Sequence, residues 1–310
     1  MVRWHLDDRP PSLLTRAYVR AMWLARDKQA FEGEQQTLRT ARERQRSGDH
    51  PPTRLTRLRA RVTQATEDGM TTWTVRPRRA RPVARIVYFH GGGYVHPLSP
   101  DYWRLVRALA SAPAEVVVPA YPLAPQATVD EVLPRLLDIA EGDTGRGTLL
   151  TVVMGDSAGG ALALVVAQQL RDAGRQQPAA VVALCPWLDA TLSEDAVQDL
   201  EAADPMLAES GLRAAGRWWS GERGPEDPLV SPVHGRLDGL PPLEVFIGDR
   251  DILRPAVDDL ARRADEQHAD LRVHEVSAMF HVWMTRAIPE ARRTRRRLVQ
   301  LVREHAVARR

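Results

Sequence analysis

The chain has 310 residues, 44% of them hydrophobic, with 43 basic and 40 acidic side chains. This size suits one large globular domain with a smaller appended element, and charges that nearly cancel do not favour a dedicated nucleic-acid-binding protein. Cys185 is the only cysteine, which excludes an intrachain disulfide and a cysteine-based metal site. The sequence shows no signal-peptide-like start and no apolar window of membrane-spanning length, so we expect a cytoplasmic protein.

The N-terminal part of the chain has helical patterning. Apolar residues recur at helical spacing over residues 11–30, and a second helix-like run covers residues 53–63. We therefore expect residues 1–65 to form a helical segment attached to a main domain of residues 66–310.

Beyond residue 65, short apolar runs alternate with helix-like segments. The runs are rich in valine and isoleucine and continuous, as expected for strands buried on both faces. They cover residues 84–90, 114–121, 148–155, 179–187 and 242–249. The helix-like segments cover residues 100–111, 129–141, 158–173 and 255–268. This alternation predicts an α/β fold with a mostly parallel sheet flanked by helices, interrupted by a helical insertion at about residues 190–224.

Ser157 lies in the sequence GDSAG at residues 155–159, which fits the pattern G-x-S-x-G. The pattern lies between a valine-rich strand and an apolar helix, where a nucleophile elbow is expected. The sharp turn of an elbow strains the serine and requires small neighbours. The sequence provides them at Gly155, Ala158, Gly159 and Gly160. Ser157 is therefore a candidate nucleophile, and the alternative is a turn serine without a catalytic role.

The sequence HGGGY at residues 90–94 follows another predicted strand. Three successive glycines cost backbone entropy, so a functional reason is expected. An oxyanion hole supplies one, because its backbone N–H groups must face the substrate without obstructing side chains. A phosphate-binding loop would continue with lysine and serine or threonine, but Tyr94 and Val95 follow instead. A purely structural turn is the other alternative.

A serine nucleophile needs a base, and the base needs an orienting acid. In α/β hydrolases the acid and then the histidine follow the serine along the chain. Asp249 and Asp251 come at the end of the predicted strand 242–249, and we prefer Asp251 because it lies deeper in the loop. Asp249 is either a turn former or the acid itself. His281 lies in the loop after the next predicted strand, whereas His274 lies within that strand and is interpreted as structural.

Six motifs in this order resemble the hormone-sensitive-lipase-like esterases of the α/β-hydrolase fold. They are HGGGY, YPLAPQ, GDSAGG, PLVSPV, GDRDIL and MFHVWM, and the resemblance covers about residues 86–285. It implies an α/β-hydrolase fold whose helical cap consists of the N-terminal helices and the 190–224 insertion. Trp187, Trp218, Trp219 and Leu212 either line an apolar pocket under that cap or serve simple packing.

The resemblance also implies a site. It assigns a catalytic triad of Ser157, Asp251 and His281. It further implies an oxyanion hole formed mainly by the N–H groups of Gly92, Gly93 and Ala158, with Gly91 in the same loop. Asp156 is expected to be structural or to line the pocket.

The expected function is ester hydrolysis through an acyl-enzyme, on short- to medium-chain acyl esters, without a metal or organic cofactor. An amidase, a lactonase or a carbamate hydrolase would use the same triad. A non-catalytic small-molecule receptor on this fold is a further alternative, but such receptors are expected to lose the triad histidine.

The expected partner is a small-molecule ester, with no nucleic acid, and the chain is expected to be a monomer or a homodimer. The arginine-rich residues 291–305 predict a C-terminal helix with a solvated charged face. Contact of that helix with an anionic membrane surface is the alternative.

Overall fold

The computed structural model describes residues 1–142, 149–193 and 196–307. Its centre is a nine-stranded sheet with the strand order β1-β9-β8-β7-β6-β4-β5-β3-β2. In chain order the strands are β1 (Val2–Asp7), β2 (Ala60–Glu67), β3 (Met70–Pro77), β4 (Ala84–Phe89), β5 (Ala114–Ala120), β6 (Leu150–Asp156), β7 (Ala180–Leu184), β8 (Leu243–Gly248) and β9 (Leu271–Val276). β3 is antiparallel to both β2 and β5, and all other neighbouring pairs are parallel. The mostly parallel sheet is thus confirmed.

The five predicted apolar runs correspond to β4, β5, β6, β7 and β8. They are buried along almost their whole length, which explains why their sequences are continuously apolar. Thr148, the first residue of the predicted run at 148–155, lies outside the described residues.

Ten α-helices occur in the described residues. They are α1 (Leu13–Ala25), α2 (Glu34–Ser47), α3 (Arg54–Arg59), α4 (Tyr102–Ala110), α5 (Val129–Glu141), α6 (Ala158–Asp172), α7 (Ala196–Glu201), α8 (Glu209–Ser220), α9 (Arg254–Glu266) and α10 (Pro289–Val307). The four predicted helices between the strands are α4, α5, α6 and α9, and the expected insertion contains α7 and α8. Residues 194–195 of that insertion lie outside the described residues. None of these helices is both long enough and apolar enough to cross a bilayer.

The N-terminal segment differs from the purely helical prediction. Val2–Asp7 forms an edge strand parallel to β9. The predicted helix at 53–63 ends at Arg59, and β2 begins at the next residue, Ala60. β2 is mostly exposed and therefore carries little apolar signal. Its pairing with β3 is set by a hairpin turn at Asp68 and Gly69, which both have positive φ. An Asp-Gly pair is a strong hairpin signal, so this part of the sheet was accessible from sequence.

The N-terminal helices pack against the insertion. The N–H of Gly33 donates to Ser210 Oγ at 2.9 Å, and Arg217 of α8 pairs with Glu34 of α2 at 2.9 Å. The contact is closest at Gly211, where an added Cβ would lie 2.1 Å from the carbonyl oxygen of Phe31. We call α1, α2, α7, α8 and the segments joining α1 to α2 and α7 to α8 the cap.

Because Gly211 makes this close contact, a substitution at Gly211 tests the packing of the cap. Gly211→Ala should lower the free energy of unfolding by about 1–3 kcal/mol, because the new methyl group overlaps the backbone of Phe31. Chemical denaturation measures the change. Gly216→Ala in the same helix is the control, since its Cβ would lie 3.0 Å from the Ala190 side chain and should cost less. A Gly211→Ala protein as stable as wild type would contradict this packing.

Candidate active site

Ser157 lies at the turn between β6 and α6. Its backbone has φ 53° and ψ −122°, a strained conformation for a residue with a side chain, and its N–H donates to the carbonyl of Leu184 at 2.8 Å. The turn needs glycine on both sides. An added Cβ at Gly155 would lie 2.1 Å from the carbonyl oxygen of Gly159, and one at Gly159 would lie 2.1 Å from that of Phe89. This is the geometry of a nucleophile elbow, with α6 pressed directly onto the sheet.

His281 and Asp251 meet above the ends of β8 and β9. His281 Nδ1 lies 2.8 Å from Asp251 Oδ2, and both side chains are buried. The other carboxylate oxygen of Asp251 accepts the N–H of Leu253 at 3.0 Å. His281 Nε2 makes no hydrogen bond to any described residue. Ser157 and His281 line the same cleft.

The alternative acid, Asp249, does not reach the histidine. Its carboxylate accepts the N–H of Ala278 at 2.7 Å and so fixes the loop that leads to His281. Of the two interpretations that the sequence leaves open for Asp249, the geometry agrees with the turn former.

The glycine loop presents backbone N–H groups next to Ser157. Gly92 and Gly93 have φ values of 106° and 61°, which favour glycine, and their N–H groups find no acceptor among the described residues. The N–H of Ala158, at the first turn of α6, also lacks an acceptor there. Gly91 differs, because its N–H donates to Asp156 Oδ1 at 3.0 Å. Gly91, which the resemblance places in the same loop, therefore anchors that loop, because its N–H already has an acceptor in Asp156.

Asp156 holds the glycine loop in place. In addition to the Gly91 N–H, it accepts the hydroxyl of Tyr88 at 2.5 Å and that of Tyr102 at 3.3 Å. Burial raises the pKa of Asp156 to about 6, although these hydrogen bonds act in the opposite direction. This agrees with the structural role expected for the residue.

Asp204, in the segment between α7 and α8, is a site residue that the sequence analysis missed. One of its carboxylate oxygens accepts the N–H groups of Met206 and Leu207 at 2.7 and 3.0 Å, and the other accepts the N–H of Ile252 at 3.1 Å. It therefore ties the cap to the loop that carries Asp251. Burial and the neighbouring charge of Asp251 raise the pKa of Asp204 to about 6. No motif relates positions 204 and 252, since only the fold brings them together.

Negative charge surrounds His281. Burial alone would lower the pKa of this imidazole, but the charge of Asp251 and the hydrogen bond to it raise the pKa above its ordinary value. The more distant charges of Asp204 and Asp156 act in the same direction. The site is thus built to stabilise a protonated histidine.

The cleft over Ser157 has a volume of about 510 Å³ and lies between the cap and the sheet. Phe31 and Arg44 line it from the N-terminal segment, and Met206 and Leu207 line it from the insertion. Both cap segments therefore border the candidate nucleophile.

The aromatic residues considered for the pocket serve packing instead. Tyr94 stacks on Trp219 with ring centroids 4.4 Å apart and on Trp187 at 5.5 Å, and all three side chains are fully buried. None of Trp187, Trp218, Trp219 and Leu212 lines the cleft. Since Tyr94 directly follows Gly93, this buried stack packs next to the glycine loop.

One group of described residues places three potential metal ligands close together. Single ligand atoms of Cys185, Asp251 and His281 lie within 4.8 Å of one another. Burial and the charge of Asp251 raise the pKa of the Cys185 thiol well above its usual value, and the N–H of Val282 donates to its sulfur at 3.3 Å. A protonated thiol is a poor metal ligand, so this chemistry favours a hydrogen-bonded cluster.

Comparison with known proteins agrees with this geometry. A family model described as an α/β-hydrolase fold matches residues 86–285. An acetyl-hydrolase of Streptomyces hygroscopicus is 33% identical over 71% of this chain and 75% of its own length. An esterase of Acinetobacter venetianus is 29% identical over 65% of this chain and 70% of its own.

The fold is shared with solved enzymes as well. A crystal structure of an esterase/lipase from an uncultured bacterium superimposes with a TM-score of 0.79 and 25% identity, covering 95% of this chain and 99% of that one. The chain belongs to the α/β-hydrolase family, within its hormone-sensitive-lipase-like group of carboxylic ester hydrolases.

Proposed function

We propose that this enzyme hydrolyses carboxylic esters through an acyl-enzyme on Ser157, with His281 as the base and Asp251 as the orienting acid. The observation that carries the proposal is the 2.8 Å hydrogen bond between Asp251 and His281 Nδ1, beside a serine held in an elbow. With Nδ1 bonded to the carboxylate, Nε2 is the ring nitrogen left for proton transfer.

The residues suggest the following sequence of steps. Ser157 Oγ attacks the ester carbonyl carbon as its proton passes to His281 Nε2, and the carbonyl oxygen becomes an oxyanion. The N–H groups of Gly92, Gly93 and Ala158 donate to that oxygen. The imidazolium then gives its proton to the departing alcohol, and water removes the acyl group from Ser157 by the same proton path. Asp251 stabilises the imidazolium throughout.

We further propose a preference for short acyl chains. The cleft, at about 510 Å³, must hold both the acyl and the alcohol part of the substrate. The stacked side chains of Tyr94, Trp187 and Trp219 are buried and do not line the cleft, so they do not extend it with an apolar surface. The name of the Streptomyces relative, an acetyl-hydrolase, supports the same choice. Amides, lactones and carbamates require the same groups, and a substrate panel distinguishes them from esters.

Replacement of the nucleophile tests the proposal directly. Ser157→Ala should lower turnover of p-nitrophenyl acetate by at least about 10⁴-fold, because no other group can form the acyl-enzyme. The control is Ser99→Ala, which removes a hydroxyl lining the same cleft and should stay close to wild type. A serine-directed fluorophosphonate should label wild type and Ser99→Ala but not Ser157→Ala. A folded Ser157→Ala protein with wild-type turnover would refute the assignment.

The charge around His281 predicts a particular pH dependence. His281 must be neutral to accept the serine proton, so activity should fall as the pH drops through its raised pKa. Asp204→Asn removes one of the charges that raise this pKa and should move the acid limb of kcat/KM to lower pH.

The control for Asp204 is Asp189→Asn. Asp189 is also buried and accepts backbone N–H groups, at 2.8 Å from Thr191 and 3.1 Å from Ser193, but it is not among the main charges that raise the pKa of His281. Asp189→Asn should leave the acid limb of kcat/KM at the same pH as in wild type. If the acid limb of kcat/KM fell at the same pH in wild type and in Asp204→Asn, this electrostatic coupling would be ruled out.

Acyl-chain length is tested with a series of p-nitrophenyl esters. The size of the cleft predicts that kcat/KM is highest for acetate or butyrate and falls for octanoate and longer chains. Highest activity on the longest chains would show that the acyl group leaves the cleft by another route and would contradict the proposed preference.

A further inference from the structure

A second cleft, on a different face, is lined by arginine. It lies between α3, the end of β3, α4 and α10, with a volume of about 1130 Å³. Eight arginines contribute to its walls, and we call it the arginine groove. They are Arg59, Arg78, Arg104, Arg107, Arg292, Arg295, Arg296 and Arg303. The whole chain carries a formal charge of only +3. The fold nevertheless brings many positive charges together on one face, which the composition alone does not indicate.

This charge is not neutralised locally. None of the described residues that line the groove is aspartate or glutamate. Arg104 pairs with Asp101 at 2.9 Å, and the other seven arginines have no carboxylate partner in the described part of the chain. Burial and the positive charges of Arg104, Arg107 and Arg292 lower the pKa of Arg295 to about 10. The arginines therefore repel one another, and a bound anion would relieve that repulsion.

Several of the arginines are held in fixed positions by backbone carbonyls. Arg295 Nη1 donates to the carbonyls of Met284 and Arg286 at 2.6 and 2.9 Å. Arg303 donates to those of Ala112 and Ser111 at 3.2 and 3.3 Å. A guanidinium group has five N–H bonds, so each anchored arginine keeps donors for a ligand. Anchoring also reduces the side-chain entropy that binding would otherwise remove.

We propose that the arginine groove binds a compact multivalent anion, of the class of linear oligophosphates and phosphorylated small molecules. Guanidinium groups match phosphate oxygens in paired hydrogen bonds. Because the arginines lie on three helices and at the end of a strand, they can contact a compact ligand from several sides, which a flat anionic surface would not allow.

Two other anionic partners fit the groove less well. No described residue that lines it is aromatic, whereas sites for single-stranded nucleic acid stack bases on aromatic side chains. A bilayer contact combines basic with strongly exposed apolar side chains. The most exposed apolar side chains on a helix, Leu13 and Leu24 of α1, do not line the groove, and Leu55 is the only leucine that does.

The test is titration calorimetry with inorganic tripolyphosphate on the full chain. Wild type should bind one equivalent, with an affinity that weakens as salt is added. Arg292→Gln/Arg296→Gln should weaken binding by about tenfold or more, since the double variant loses two positive charges and their charge-assisted hydrogen bonds. Both residues are exposed on α10 and hold no other described side chain, so folding should be preserved. Esterase activity should also be preserved, because neither residue lines the cleft over Ser157.

The matched control is Arg39→Gln/Arg42→Gln, which removes two exposed arginines from α2, outside the groove. It should bind tripolyphosphate like wild type. Equal weakening in both double variants would mean binding to net charge alone and would overturn the proposal. No binding by wild type would overturn it as well. So would binding only to single-stranded DNA, or only to vesicles of phosphatidylcholine and phosphatidylserine, in place of tripolyphosphate.

Discussion

The close approach of α6 to the sheet is the constraint on which the site depends. Carbonyl oxygens lie 2.1 Å from where a Cβ would be at Gly155 and at Gly159, so only glycine permits the turn. The turn forces Ser157 to φ 53° and places the first N–H of α6 beside it. Strain at one residue is thus held by the packing of α6, a helix that is buried along most of its length. The positions of the serine, of one proposed oxyanion donor and of the edge of the cleft all result from this single contact.

Buried carboxylates then connect the remaining parts. Asp156 binds the glycine loop through Gly91, and Asp204 binds the cap to the loop of Asp251 through Ile252. Burial raises the pKa of each to about 6. Their negative charges also reach His281 and add to the effect of Asp251. The same side chains that hold the loops in place therefore set the proton affinity of the proposed base, which links cap packing to catalysis.

The sequence predicted those features that local patterns encode. Continuously apolar runs identified the central strands, and the GDSAG and HGGGY motifs located Ser157 and the glycine loop. The exposed edge strands β1 and β2 were missed because little of their surface is buried, although Asp68-Gly69 signalled the hairpin. Asp204 and the arginine groove were inaccessible because their partners are distant in sequence. The hydrogen bond from the Gly91 N–H to Asp156 likewise could be seen only in the three-dimensional structure.

The central claim is that Ser157, His281 and the N–H groups of Gly92, Gly93 and Ala158 act on one reacting carbonyl. The most direct measurement is a crystal structure of the enzyme with a phosphonate that mimics the tetrahedral intermediate. We predict phosphorus bonded to Ser157 Oγ, with its oxygen about 2.7–3.1 Å from those three nitrogens and His281 Nε2 facing the leaving-group side. A phosphoryl oxygen turned to solvent, or phosphorus bonded to another side chain, would contradict the claim.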